Sequence, residues 1–99
     1  MVTVHGHADR EDGFVMVGGL NTCLKSEIER ELGRSGFRTL EPSGGLMAND
    51  PRNICNRGRS GKGVQLETSR RLRDLLQVDN DLLRKFADAV RRGVRLYLE

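Results

Sequence analysis

The sequence predicts an α/β fold, with a mostly parallel or mixed sheet and flanking helices. Its first half gives segments in the order strand, strand, helix, strand, which is typical of α/β sheets. One of these strands, "FVMVGGL" (14–20), is a continuous apolar run of the kind that lies buried in a sheet. A length of 99 residues allows one domain with a modest core.

Four segments carry the strand pattern. The chain opens with "VTVHGH", whose alternation of apolar and polar residues predicts a strand from Val2 to about His5. The polar turn "ADREDG" then leads into the apolar run 14–20. The short segment "FRTLE" (37–41) and the later segment "GVQLET" (63–68) complete the predicted sheet.

The first predicted helix lies between the second and third strands. Asn21 can cap its start, and Gly36 suits the left-handed position that follows its end. Its apolar stripe, at helical spacing, is Leu24, Ile28 and Leu32. After the third strand, "PSGGLMANDPRN" (42–53) has the proline, glycine and asparagine chemistry of a loop.

Two more helices are predicted after the last strand. Ser69 can cap the first of them, which continues to Leu76. The second runs from Asp81 to Leu98, is capped by Asn80 or Asp81, and has the strongest amphipathic pattern of the chain. Its apolar face is formed by Leu83, Phe86, Ala87, Val90, Val94 and Tyr97.

Charge and cysteine content limit the partners and the location. The net charge is only +3, but the basic excess is concentrated between Arg52 and Arg73, which favours an acidic partner such as nucleic acid, phosphate or a carboxylate-rich substrate. Because the sequence has no signal peptide and no apolar run of membrane-spanning length, a cytoplasmic protein without membrane contact is expected. Cys23 and Cys55 are far apart, so reduced thiols are favoured over a disulfide.

Two histidines, His5 and His7, stand at the end of the first predicted strand. At i and i+2 they would share one face, unless Gly6 and the following turn break the pattern. Neutral imidazole is a good zinc ligand, and strand ends are where α/β folds gather their chemistry. A catalytic zinc takes about three protein ligands, so the alternative, two surface histidines near a turn, stays open.

The segment "NRGRSGKG" (56–63) invites comparison with a phosphate-binding loop but does not match one. Asn56 occupies the first glycine position, and Gly63 stands where the motif needs Ser or Thr. A predicted strand follows where the motif needs a helix. A looser anion site, built from glycine-rich backbone and guanidinium groups, remains open.

Glu67 is a single acid in an apolar strand surrounded by basic residues. In the strand it shares a face with Gln65. Its carboxylate could act as the general base of a hydrolase or form an ion pair with Arg70 or Arg71. The arginine-rich helix that follows lacks the aromatic residues that single-strand nucleic-acid binders use.

Taken together, "VTVHGH", "VGGL" and "DPRNICNRGRSGKGVQLETSRRLR" resemble the carboxy-terminal half of the poly-γ-glutamate hydrolase family, a group of phage and bacterial proteins. The resemblance covers about residues 2–76. It implies half of a zinc-carboxypeptidase-like α/β domain, with residues 1–78 forming the partial domain and residues 79–99 a C-terminal amphipathic helix. It also implies zinc-dependent cleavage of the γ-amide bonds of poly-γ-glutamate.

The resemblance assigns roles to individual residues. His5 in "VHG" matches the later zinc ligand of the family, and Glu67 in "VQLE" matches the position of the general base. In that hydrolase, Arg57 and Arg59 would pair with substrate carboxylates, since guanidinium groups match carboxylates bidentately. Asn56 would add a hydrogen bond to the substrate.

The departure from the family is large, because its early His-Glu ligand pair is not in this chain. His7 is an accessory candidate, but the zinc ligand set is incomplete. The resemblance therefore implies a truncated or split member, whose exposed strand edge would pair in a homodimer or with the missing amino-terminal half. The alternatives are a non-catalytic module that binds anions or nucleic acid, and an inactive remnant. Nucleic acid is disfavoured because Glu67 would repel phosphate.

Overall fold

The computed structural model describes residues 1–42 and 47–99, so part of the loop predicted at 42–53 lies outside the described residues. Along the chain, two strands are followed by a helix, a short strand, a 3₁₀ turn, a fourth strand and two helices. They are β1 (Val2–His7), β2 (Val15–Gly18), α1 (Thr22–Arg34), β3 (Thr39–Leu40), a 3₁₀ turn (Ile54–Asn56), β4 (Val64–Ser69), α2 (Arg70–Val78) and α3 (Asn80–Leu98).

The four strands form one mixed sheet in the order β1-β4-β2-β3. β1 runs parallel to β4, and β2 runs parallel to β3, whereas β2 and β4 are antiparallel. β4 is buried along its whole length, while β1 lies at one edge of the sheet. The predicted fold class, an α/β fold with a mostly parallel or mixed sheet and flanking helices, is confirmed.

The strand register decides which side chains share a face of the sheet. Leu66 of β4 lies beside Val17 of β2, while Glu67 lies beside His5 of β1. Because side chains alternate along a strand, Leu66 and Val17 point to one face, and His5 and Glu67 point to the other. The first face packs against α1, α2 and α3 in a single apolar core. The opposite face, called the polar face below, carries Thr3, His5, His7, Gln65, Glu67 and Ser69.

α1 and α3 cross closely on the apolar side of the sheet. A Cβ atom on Gly93 of α3 would lie 2.8 Å from the Cα atom of Ile28 in α1. Nearby, Arg92 donates from Nε to Oε1 of Glu31 and from Nη2 to Oγ of Ser35, each over 3.0 Å. Glu31 is buried, and its other carboxylate oxygen pairs with Arg34 over 3.2 Å, so charge-assisted contacts with two arginines offset the desolvation of this carboxylate.

Several predicted helix ends are confirmed. Asn21 caps α1, because its side chain accepts a hydrogen bond from the backbone N–H of Leu24. Gly36 follows α1 with a φ of +89°, the left-handed conformation that glycine adopts without a steric penalty. Ser69 caps α2 through the N–H of Leu72. These caps are local features, which explains why the sequence alone could place them.

The predicted cap of the last helix is wrong by one or two residues. Asp79 caps α3, with its Oδ1 accepting from the N–H of Leu82 over 3.0 Å, whereas Asn80 and Asp81 already lie within the helix. α2 also continues to Val78 rather than ending at residue 76. α2 thus ends at Val78 and α3 begins at Asn80, while the division of the chain into residues 1–78 and 79–99 stays a prediction.

β1 is longer than the pattern predicted. It continues past His5 to His7, because β4 pairs with it in parallel as far as Ser69. Gly6 does not interrupt the strand, so the two histidines do share the polar face. In the described part of the chain no helix is long and apolar enough to cross a membrane. Both cysteines there are free thiols, and burial raises the pKa of Cys55.

Candidate functional site

His5 and Glu67 are direct neighbours on adjacent parallel strands. They occupy paired positions in the register of β1 and β4, so both side chains rise from the polar face. His5 is exposed, whereas Glu67 keeps only 8% of its surface accessible. One imidazole and one shielded carboxylate therefore lie side by side near the carboxyl ends of parallel strands, the usual place for the active site of an α/β sheet.

The carboxylate of Glu67 forms no ion pair with Arg70 or Arg71 within residues 1–42 and 47–99. Arg70 instead pairs with Asp74, Nε to Oδ1 over 3.2 Å. The partner of Glu67 is Gln65, which donates from Nε2 to Oε1 over 3.2 Å in a buried environment. A neutral amide orients the carboxylate without neutralising it, as a general base requires.

His7 lies two residues beyond His5 on the polar face. Its Nδ1 accepts a hydrogen bond from the backbone N–H of Asp9 over 3.2 Å. Its ring also packs against the ring of Phe14, with centroids 5.2 Å apart and an edge-on geometry. On the opposite face of β1, the guanidinium of Arg73 lies over Gly6 and donates to the carbonyl of His7 over 3.1 Å. The end of β1 is thus fixed on both faces.

The turn after β1 is stabilised by the side chain of Asp9. Its Oδ1 accepts from the backbone N–H groups of Glu11 and Asp12, over 2.9 and 3.1 Å. These hydrogen bonds, first that of Asp12 and then that of Glu11, lower the pKa of the Asp9 carboxyl. The turn is also tied to α2, because the N–H of Arg71 donates to the carbonyl of Asp9.

The side chain of Asn56 is fully occupied by the backbone around it. Its Nδ2 donates to the carbonyls of Ala48 and Asp50, and its Oδ1 accepts from the N–H groups of Leu20 and Gly63. Only 2% of its surface is exposed. A primary amide has two donor hydrogens and two acceptor lone pairs, so this side chain has no hydrogen-bonding position left for a substrate.

Arg57 and Arg59 are exposed and lie apart from His5 and Glu67. Their turn adjoins the start of β1: a Cβ atom on Gly58 would lie 3.4 Å from the backbone nitrogen of Met1. His5 is further along the extended strand, about 13 Å from Met1 at the usual rise per residue. The structure therefore brings His5, His7 and Glu67 together but places the two arginines at the other end of β1.

The 3₁₀ turn nevertheless lies on the same side of the sheet as the polar residues. A Cβ atom on Gly63 would clash with the carbonyl oxygen of Cys55. Gly63 alternates with Val64, whose side chain points into the apolar core, so Cys55 is on the polar side. The arginine-bearing turn thus adjoins one end of the polar face.

The residue types on the polar face suit a zinc site, but too few potential ligands are present there among the described residues. Imidazole and carboxylate are common zinc ligands, and a catalytic zinc takes about three of them. Across residues 1–42 and 47–99, no group of three or more His, Cys, Asp or Glu side chains is placed to hold a metal ion. His5 therefore needs ligands from outside these described residues to form a zinc site.

Two residues of the site, Asp9 and Arg73, were missed by reasoning from the sequence. Strand alternation placed Gln65 on the face of Glu67 but did not show that it would donate to the carboxylate. Asp9 and Arg73 gave no signal, since their roles depend on contacts with the end of β1 that only the folded chain forms.

Comparison with known proteins identifies the relatives of this arrangement. Residues 1–92 match the model of the family described as poly-gamma-glutamate hydrolase, a match that extends beyond residues 2–76 and into α3. No curated protein matches the sequence.

Two solved structures have a similar fold. A bacteriophage poly-gamma-glutamate hydrolase superposes with a TM-score of 0.89 and 33% identity, over 98% of this chain and 52% of that one. A zinc-free apo form of YNDL superposes with a TM-score of 0.82 and 21% identity, over 95% of this chain and 52% of that one. The latter identity supports the fold alone. The chain spans about half the length of both structures.

Proposed function

The chain belongs to the poly-γ-glutamate hydrolase family, and we propose that it supplies half of the active site of a zinc-dependent amidohydrolase that cleaves the γ-glutamyl amide bonds of poly-γ-glutamate. The observation that carries the proposal is the pairing of His5 with Glu67 across β1 and β4. A metal-ligand type and a shielded carboxylate on neighbouring strand positions are the two components that such a hydrolase needs from this half of the fold.

In this proposal Glu67 is the general base. Its carboxylate removes a proton from the attacking water as the oxygen bonds to the amide carbon. The C–N bond then breaks, and Glu67 returns the proton to the departing amine. Gln65 holds one carboxylate oxygen throughout, which keeps the base oriented toward the water.

His5 would hold the zinc ion together with ligands from a segment outside these 99 residues. When bound, zinc would polarise the scissile carbonyl and lower the pKa of the water. In this proposal the zinc ligands are shared between these 99 residues and another segment. We propose that the other segment docks along β1, an edge strand on which Val4 is 59% exposed.

Arg57 and Arg59 would bind α-carboxylates of the polymer away from the cleaved bond. Guanidinium groups match carboxylates in charge and shape, and both arginines are exposed next to the polar face. Asn56 would contribute indirectly, because its four hydrogen bonds hold the turn that carries them.

The test is complementation. The chain is combined with the first half of the bacteriophage hydrolase, zinc is added, and shortening of poly-γ-glutamate is followed by size-exclusion chromatography. We expect cleavage only when both halves are present. Glu67→Gln should lower kcat on the order of a hundredfold or more while zinc stays bound, since it removes the base and preserves the shape.

The matched control is Glu27→Gln, which alters a half-buried carboxylate of α1 that pairs with Arg30 and should leave kcat unchanged. Full activity of the Glu67→Gln variant would remove Glu67 from the mechanism. A complemented enzyme that works equally well after exhaustive chelation would contradict the zinc-dependent reaction.

A further inference from the structure

We infer that His7 is a hydrogen-bond donor to the substrate and not a second zinc ligand. The inference rests on the proposed function, because it assigns a role within the same site. The structure places His7 on the polar face with His5 and Glu67, about 7 Å from His5 along the strand. Sharing that face does not by itself decide between a ligand and a donor, but the hydrogen bonding of the ring does.

The decisive contact is the one at Nδ1. The backbone N–H of Asp9 donates to this nitrogen over 3.2 Å, so Nδ1 carries the lone pair. In a neutral imidazole the proton must then reside on Nε2. A metal ion needs a lone pair: the one on Nδ1 is already engaged, and Nε2 carries a hydrogen. His7 therefore presents an N–H group.

The surroundings of His7 hold it in this state. The donor N–H belongs to a turn that the Asp9 carboxylate closes through Glu11 and Asp12. The edge-on contact with Phe14 fixes the plane of the ring, and the hydrogen bond from Arg73 fixes the carbonyl of His7. Flipping the ring would bring the Cδ2–H group against the N–H of Asp9, and the other tautomer would bring Nδ1–H there, so either change would lose the hydrogen bond.

A fixed N–H on this face suits an oxygen acceptor. The substrate has two kinds of oxygen near the cleaved bond, those of the amide carbonyl and of the α-carboxylate, and both accept hydrogen bonds. Donors that are already oriented stabilise developing negative charge without reorganising, and loss of one donor typically costs on the order of 100-fold in rate. In contrast, neither ring nitrogen of His5 forms a hydrogen bond within the described residues, so His5 suits the role of zinc ligand.

The first experiment reads the tautomer directly. In the ¹⁵N-labelled 99-residue chain, long-range ¹H–¹⁵N correlation spectra at a pH where the histidines are neutral distinguish Nδ1–H from Nε2–H. We expect His7 as the pure Nε2–H tautomer, with His7→Gln and His5→Gln used to assign the signals. A dominant Nδ1–H tautomer at His7 would overturn the inference.

The second experiment uses zinc as the probe. Titration of zinc into the labelled chain combined with the first half of the bacteriophage hydrolase should shift the ring nitrogens of His5 and leave those of His7 in place. Coordination shifts at His7 would overturn the donor role. If zinc shifts neither ring, the proposed zinc site fails, and the tautomer alone decides the role of His7.

Variants separate a donor from a structural residue. His7→Leu in the complemented enzyme should retain zinc affinity and lower kcat/KM on the order of 100-fold. His7→Gln, which keeps an N–H donor near the position of Nε2, should restore part of that loss. Equal losses in both variants, with unchanged thermal stability, would contradict the donor role, as would a fall in zinc affinity in His7→Leu.

Discussion

Asn56 gives the sharpest test of how the arginine-bearing turn is held. Replacing it with alanine removes four hydrogen bonds at once, and two of them, to the carbonyl of Ala48 and from the N–H of Gly63, are buried. Each buried backbone group left without a partner costs about 1–3 kcal/mol. The expected loss in the free energy of unfolding is therefore about 2–6 kcal/mol, a large share of the stability of a domain this size.

The assay is urea or thermal unfolding followed by circular dichroism. For a domain of this length each kcal/mol lowers the Tm by roughly 4–8 °C, so Asn56→Ala should lower the Tm by about 10 °C or more. The matched control is Asn53→Ala, which removes the single hydrogen bond that caps the 3₁₀ turn and should cost about 0.5–2 kcal/mol.

A substrate-binding Asn56 would behave differently. Its replacement would leave stability nearly unchanged and raise KM for poly-γ-glutamate in the complemented enzyme. A loss below about 1 kcal/mol would therefore refute the structural assignment. Asn56→Asp provides a second test, which separates the accepted hydrogen bonds from the donated ones. A carboxylate can still accept from the N–H groups of Leu20 and Gly63 but cannot donate to the carbonyls of Ala48 and Asp50.

Three further outcomes follow from the packing, the charges and the sheet edge. Gly93→Ala should destabilise the chain by about 1–3 kcal/mol, because its Cβ would lie 2.8 Å from the Cα of Ile28. Gly33→Ala, whose Cβ would lie in open space within α1, should instead stabilise the chain by up to about 1 kcal/mol. Urea unfolding measures both changes, and equal effects of the two substitutions would contradict the close crossing of α1 and α3. The lowered pKa of Asp9 means that its contribution is present above the ordinary carboxyl pKa and is lost as the pH falls through the lowered value. The protection factors of the amides in the 9–12 turn, which correct for the pH dependence of intrinsic exchange, should therefore fall on acidification in the parent chain and show no such step in Asp9→Asn. If β1 is a docking edge, Val4→Lys should weaken association with the complementary half, as measured by sedimentation. If the substitution instead weakens a homodimer, a second copy of this chain is the partner that docks along β1. Unchanged association would show that β1 is not part of the interface.

Local chemistry explains what the sequence could predict. Asn21 and Ser69 correctly indicated where helices start, because a helix cap depends only on residues within a few positions of it. The end of β1 was missed for the opposite reason: alternation suggested a stop near His5, but the strand continues because β4 pairs with it as far as Ser69. Strand extent depends on a partner more than sixty positions away, which no local pattern encodes.

The candidate site divides in the same way. Residue type indicated His5 and Glu67 as site residues. Their alignment, however, depends on the register between β1 and β4, two strands that pair in the sheet but are far apart in the sequence. Asn56 shows the reverse case. Its position in an arginine- and glycine-rich loop favoured a role in binding, while the folded chain uses all of its hydrogen-bonding capacity to join three backbone segments. Polar residues of loops are ambiguous until their partners are known.

The separation of Arg57 and Arg59 from His5 suits a polymer better than a small substrate. One γ-linked glutamyl unit contributes five backbone bonds, or about 6 Å when extended, so the distance of about 13 Å from the start of β1 to His5 spans about two units. An oligomer that reaches both ends would place one amide at the His5–Glu67 pair and present a carboxylate to the arginines. A single γ-glutamyl dipeptide is too short to do so. Arg57→Lys should therefore raise KM for long chains, because an ammonium group loses the bidentate match to a carboxylate, and should leave the KM of a dipeptide unchanged. An equal change for both lengths would place Arg57 next to the cleaved bond, and no change for either would make its position on the turn irrelevant to binding.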